Sequence, residues 1–118
     1  MPLPERTSVE AVNARTLTDV DRTIHAPARL MVMTILNGAD ADFVYLLRET
    51  GLSKGNLATH LGKLEANNYI GVHKEGRGTL SRTTYRMTET GRAAFARYRE
   101  GLQRIVDHTV PGVGLEPG

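Results

Sequence analysis

At 118 residues, with 40% apolar and 24% charged side chains, the chain has the make-up of one globular domain with one modest core. Cysteine is absent, which excludes disulfides, thiol catalysis and thiolate metal sites and fits a reducing cytoplasm. No apolar run approaches the roughly 18 residues of a membrane span, and the net charge of +2 is too small to say anything about partners.

The distribution of charge says more. Residues 1–50 hold five basic and seven acidic side chains, whereas residues 51–92 carry an excess of +4 and residues 93–118 balance. A local basic footprint favours a polyanionic partner, with a solvated basic surface as the plain alternative. "MPLPERTSVE" contains no apolar signal-like segment, so a cytoplasmic location is the expectation.

In chain order, residues 1–8 are expected to be a flexible N-terminus. Ser8 then stands where an N-cap belongs, and Val9, Val12, Thr16, Val20 and Ile24 recur near helical spacing. Thr18 with Asp21 offers a second, separate helix start, so one or two helices are expected, ending before Pro27. Pro27 suits the first turn of the next helix, "PARLMVMTILNG", which stops at Asn37-Gly38. In it Leu30, Met33 and Leu36, with Val32 and Ile35, are expected to be buried on most sides. "ADADF" reads as a polar connector in which Asp40 and Asp42 act as caps. "FVYLLRETG" reads as a short helix with Phe43, Leu46 and Leu47 inward and Gly51 as its end.

Ser53 is placed to cap the following helix, predicted over about 53–67. At 100° per residue, Leu57, Leu61 and Leu64 fall within roughly 60° of one another and form an apolar stripe. The opposite face centres on Thr59, Ala66, Gly55 and Gly62. Each glycine weakens a helix by roughly 1 kcal/mol relative to alanine, and clearance for a large ligand explains why two are kept. Asn67-Asn68 stops the helix.

The period then changes. "YIGVHK" places Ile70 and Val72 on one strand face, and "SRTTYRM" alternates Thr83, Tyr85 and Met87 against Arg82, Thr84 and Arg86. Between them "EGRGTL" is a basic turn with two glycines. Thr88 caps a long last helix striped by Phe95, Tyr98, Leu102, Ile105 and Val106. Residues 110–118 are expected to be a flexible tail, so that one domain spans 9–109.

Two short helices joined by "ETGLS" meet the description of a helix-turn-helix. The major groove of B-DNA, about 12 Å wide, admits one helix whose outward side chains are small. Ser53, Lys54, Gly55, Asn56, Thr59, His60 and Lys63 are therefore the candidate contacts to phosphates and base edges. Lys74, Arg77 and Arg82 are the candidates in the hairpin; edge protection is the other reading of Arg77. His60 reads either as a groove contact or as a partly buried residue beside the leucine stripe. Asn56 reads either as a base contact or as a local partner of Ser53.

"IHAPARLMVMTIL", "LRETGLSKGNLATHLGKLEANNYI" and "TTYRMTETGRAAFARY", in this order, resemble the winged-helix DNA-binding regulators related to the MarR group, over about residues 19–105. The likeness is to the compact single-domain members whose recognition helix opens with a Ser-Lys-Gly-Asn-Leu type sequence. Two positions depart from the family's pattern: Asn68 stands where glycine is usual, and Gly62 where a longer polar residue is common.

The resemblance implies a mainly α (α+β) winged helix-turn-helix with a two-stranded β-hairpin wing. It also implies a homodimer on double-stranded DNA, formed by long terminal helices. Val12, Val20, Phe95, Tyr98, Leu102 and Ile105 are the candidate dimer residues, with packing inside the chain as the alternative. A small-molecule effector between the dimer's helices is a further possibility, and a protein–protein module is the competing function. His25, His73 and His108 share no ligand spacing, and no Ser/His/Asp group stands in a catalytic context. The expectation is a regulator, most simply a repressor, with no cofactor, no metal, no enzymatic activity and no membrane contact.

Overall fold

The computed structural model describes residues 21–109. The elements are α1 (Pro27–Gly38), β1 (Ala41–Asp42), α2 (Phe43–Thr50), α3 (Lys54–Ala66), β2 (Ile70–Glu75), β3 (Arg82–Met87) and α4 (Glu89–Thr109), with a 3-10 turn at Gly78–Leu80 between the last two strands. Arg22–Phe95 form one compact unit, and Ala96–Thr109 belong to a second.

Local chemistry sets most of these boundaries. Residues before proline are driven to extended backbone, and Ala26 (φ −148°, ψ 130°) leads into Pro27 at the start of α1. The Asp42 carboxylate accepts from the Tyr45 N–H at 2.8 Å and caps α2, as expected of it. Gly51 ends α2 at φ 70°, the left-handed C-terminal geometry that glycine adopts without a Cβ penalty. Ser53 Oγ accepts from the Asn56 N–H at 3.1 Å and caps α3. Asn68 follows α3 at φ 62°, the one non-glycine described with a positive φ. The glycine usual there in the resembling family would meet this geometry without strain.

The core of Arg22–Phe95 is built where α1, α2 and α3 meet the sheet. Val32, Met33, Leu36, Leu46, Leu57, Leu61, Leu64, Ile70 and Met87 are buried in it. The three-leucine stripe of α3 therefore faces inward as the spacing predicts. Truncating any of these leucines to alanine costs about 2–5 kcal/mol, so α3 is firmly seated. Phe95 is buried at the end of this unit, and α4 continues with buried Tyr98 and Gly101, half-buried Leu102 and Ile105, and exposed Val106.

Three expectations need correction. The "ADADF" segment is not only a connector: Ala41 and Asp42 pair antiparallel with Tyr85 and Thr84, so the hairpin becomes a three-stranded sheet in the order β1-β3-β2. Thr84, which the alternation groups with Arg82 and Arg86, is half-buried where those two are exposed, with Asp42 opposite it on β1. The helical stripe read from Val9 to Ile24 does not reach Ile24 as helix. Arg22–Ile24 form a turn, and Ile24 is fully buried from that turn rather than from a helical stripe. The expected helices before Asp21, with Val12 and Val20, lie outside the described residues, as do the ends at 1–8 and 110–118.

Candidate nucleic-acid interface

The stripe that seats α3 also orients it. With Leu57, Leu61 and Leu64 buried, the opposite side presents Gly55, Asn56, Thr59, Gly62, Lys63 and Ala66, every one exposed. A Cβ added to Gly55 or Gly62 would meet nothing within 4 Å. Intramolecular packing therefore does not require these glycines, and the space beside them is open.

Lys54 and Lys63 stand on this helix, and neither has an ion-pair partner among the described residues. The Asn56 backbone is engaged by Ser53, but its side-chain amide is exposed and points to no partner among the described residues. Its capping role and a contact role are compatible, because they use different atoms.

His60 is more constrained than its sequence position suggests. Arg29 Nη1 donates to His60 Nδ1 at 3.1 Å. A guanidinium cannot accept, so Nδ1 is the acceptor and the ring proton sits on Nε2. Burial, then the charges of Arg29 and Lys63, hold the imidazole below its ordinary 6.5. His60 is thus a neutral, braced ring at the flank of the outward face, with Nε2–H as its remaining donor. Of the two sequence readings, the partly buried one describes its place in the fold: it is half-buried beside the leucine stripe.

The wing is a compact turn. Leu80 N–H donates to the Arg77 carbonyl at 2.9 Å, and Ser81 N–H to the Gly78 carbonyl at 3.1 Å. Gly76 (φ 82°) lies against the Leu80 carbonyl so closely that a Cβ there would collide with it. Lys74 near the end of β2 and Arg77 in the turn are exposed, without ion-pair partners among the described residues. Arg82 differs from the other cations, because its Nε lies 3.3 Å from the Asp42 carboxylate. Part of its charge is neutralised where β3 leaves the turn. Leu80 at the tip is 83% exposed.

Arg29 is the residue that the sequence reading missed. It stands on α1, outside the helix-turn-helix, and its Nε donates to the Thr23 carbonyl while Nη1 fixes His60.

The candidate dimer residues divide. Within the single chain Phe95 and Tyr98 are each 5% exposed, so little of either remains for a partner. Leu102 and Ile105 are half-buried. Among the described residues no group of His, Asp and Glu is arranged to hold a metal, and no helix is long and apolar enough to cross a membrane.

Comparison with known proteins places this geometry. Residues 28–106 match the model of the family described as winged helix DNA-binding domain. An uncharacterized protein of Methanocaldococcus jannaschii is 30% identical over 78 residues, covering 65% of this chain and 85% of that protein. The structure of a transcriptional regulator homologue from Pyrococcus horikoshii OT3 superposes with a TM-score of 0.73 at 25% identity, over 86% of this chain and 98% of the other. A candidate transcriptional regulator of the MarR family from Enterococcus faecalis V583 shares the fold at TM-score 0.61 and 18% identity, over 88% and 87% of the two chains. The chain belongs to the winged helix DNA-binding domain family and shares its fold with transcriptional regulators.

Proposed function

We propose that the protein is a sequence-specific regulator of transcription that binds double-stranded DNA as a homodimer in the cytoplasm, acting as a repressor by occupying its operator. One observation carries the reading: α3 turns to solvent a side with two unobstructed glycines, flanked by Lys54 and Lys63 without ion-pair partners among the described residues. A helix lined this way admits a duplex to its backbone, while Asn56 and Thr59 supply base-edge contacts. Lys54, Lys63, Lys74 and Arg77 dock on phosphates, with a smaller share from Arg82. A protein–protein module would instead present apolar anchors on this side, and no large exposed apolar residue lies on α3.

Dimerisation is supported by the apolar surface that α4 keeps, with Leu102 half-buried and Val106 40% exposed. An effector bound between the helices of such a dimer would act on its geometry.

Selection of bound duplexes from a random library at a fixed salt concentration tests the proposal. A palindromic consensus is the expected result, and recovery of no enriched sequence overturns it. On the selected duplex, Lys63→Ala is expected to weaken binding to specific and scrambled DNA alike. Asn56→Ala and Thr59→Ala should narrow the gap between the two DNAs. Equal losses on both would remove α3 from base readout.

A further inference from the structure

Beside the C-terminal half of α3 lies an open cavity of about 240 Å³, lined by Arg22, Thr23, Arg29, Lys63, Ala66 and Asn67. We propose that this cavity is a binding site for an oxyanion of the phosphate class, held by Arg22, Arg29 and Lys63.

Three observations carry it. The first is charge: three cations from three separate segments, the Arg22–Ile24 turn, α1 and α3, line one small space with no carboxylate among the lining residues. None of the three has an ion-pair partner among the described residues. Like charges gathered in this way repel, and a bound anion removes the repulsion.

The second is preorganisation. Arg29 is gripped from two sides, by the Thr23 carbonyl at Nε and by His60 Nδ1 at Nη1. Its guanidinium is therefore fixed in place with N–H donors to spare, the arrangement that recognises an oxyanion at little entropic cost. Arg29 and Lys63 together depress the His60 imidazole, after burial, which places both fields on the same spot.

The third is size and position. The cavity falls below the roughly 300–1,000 Å³ of sites for drug-sized ligands, and suits a single phosphoryl group. Lys63 and Ala66 belong both to this cavity and to the outward side of α3, so the site adjoins the surface assigned above to DNA.

Two sources share the chemistry: a backbone phosphate of the duplex on α3, or a small phosphorylated molecule. The duplex source rests on the proposed function, whereas the phosphate site itself does not.

The test titrates inorganic phosphate into the full chain at constant ionic strength, with the His60 ring resonances as readout. Saturable shifts are expected, with the ring's titration moving to higher pH, and Arg22→Ala should weaken that response by about tenfold or more. Thermal unfolding of Arg22→Ala checks that the fold is kept, and Arg22→Lys should restore part of the response.

In the second arm, duplex affinity is measured from 50 to 200 mM salt. Occupancy by a backbone phosphate predicts that Arg22→Ala lowers the salt slope by about 0.9, equivalent to about threefold across that range. An unchanged slope with the phosphate response lost assigns the site to a small anion. No saturable response of His60 to phosphate, together with an unchanged slope, overturns the proposal. Failure of the wild type to bind any duplex would sink the regulator reading while leaving the phosphate arm decisive.

Discussion

Gly62 offers a direct test of why α3 is built as it is. Replacing it with alanine adds one methyl group in the middle of a 13-residue helix. Nothing lies within 4 Å of the added atom, so the fold gains no packing and suffers no clash. The change in stability is then the propensity difference, about 1 kcal/mol in favour of alanine. For a domain of this size that raises Tm by about 5 °C, read by circular dichroism. With α3 seated in the groove as proposed, the same methyl would occupy the clearance beside the duplex. Overfilling a close-packed contact costs about 1–3 kcal/mol, or about five- to 150-fold in affinity by fluorescence anisotropy on the selected duplex. A variant that gains stability and binds as tightly as the wild type refutes the idea that the glycine is kept for a ligand. A variant that loses stability refutes the open space itself.

The opposite sign is expected at Gly91, in the first turn of α4. A Cβ there would strike the Tyr69 carbonyl, with the carbonyl carbon at 2.8 Å, so Gly91→Ala should lower stability by about 1–3 kcal/mol in a urea titration despite alanine's helix preference. Ser53→Ala removes the α3 cap and should cost about 1 kcal/mol, seen as a fall in Tm. For His60 the folded-state pKa lies below 6.5, so the unfolded chain takes up the proton first as pH falls. Stability should therefore decline as pH drops through 6.5 and level off below the folded value. His60→Gln should lack that component, and a wild type with the same pH profile as the variant would contradict it.

Elements with a strong period were legible before any coordinates. The α3 leucines, the alternating β3 and the caps at Asp42, Ser53 and Thr88 are each written in consecutive or regularly spaced residues. β1 was not legible, because two residues have no period and its pairing is decided by β3, more than forty positions away along the chain. The turn at Arg22–Ile24 was read as helix because Ile24 falls on the stripe begun by Val9. Proximity to Pro27 weighs against helix there. The basic cavity was hidden for a different reason. Arg22 and Arg29 sit in a stretch whose charge sums to −2, and only the fold carries them to Lys63, on a helix that begins 25 residues after Arg29.

The segment that reads outward is secured entirely from its other sides. Ser53 holds its start, three buried leucines hold its length, and Asn67 Nδ2 closes its end on the Lys63 carbonyl at 2.9 Å. Just beyond, Thr88 Oγ1 donates to the Asn68 carbonyl at 2.6 Å and ties that exit to the entry of α4. The fold therefore asks nothing of the side chains at Asn56 and Thr59. A lineage carrying this scaffold can exchange them, and so alter what this outward side contacts, without passing through poorly folded ancestors.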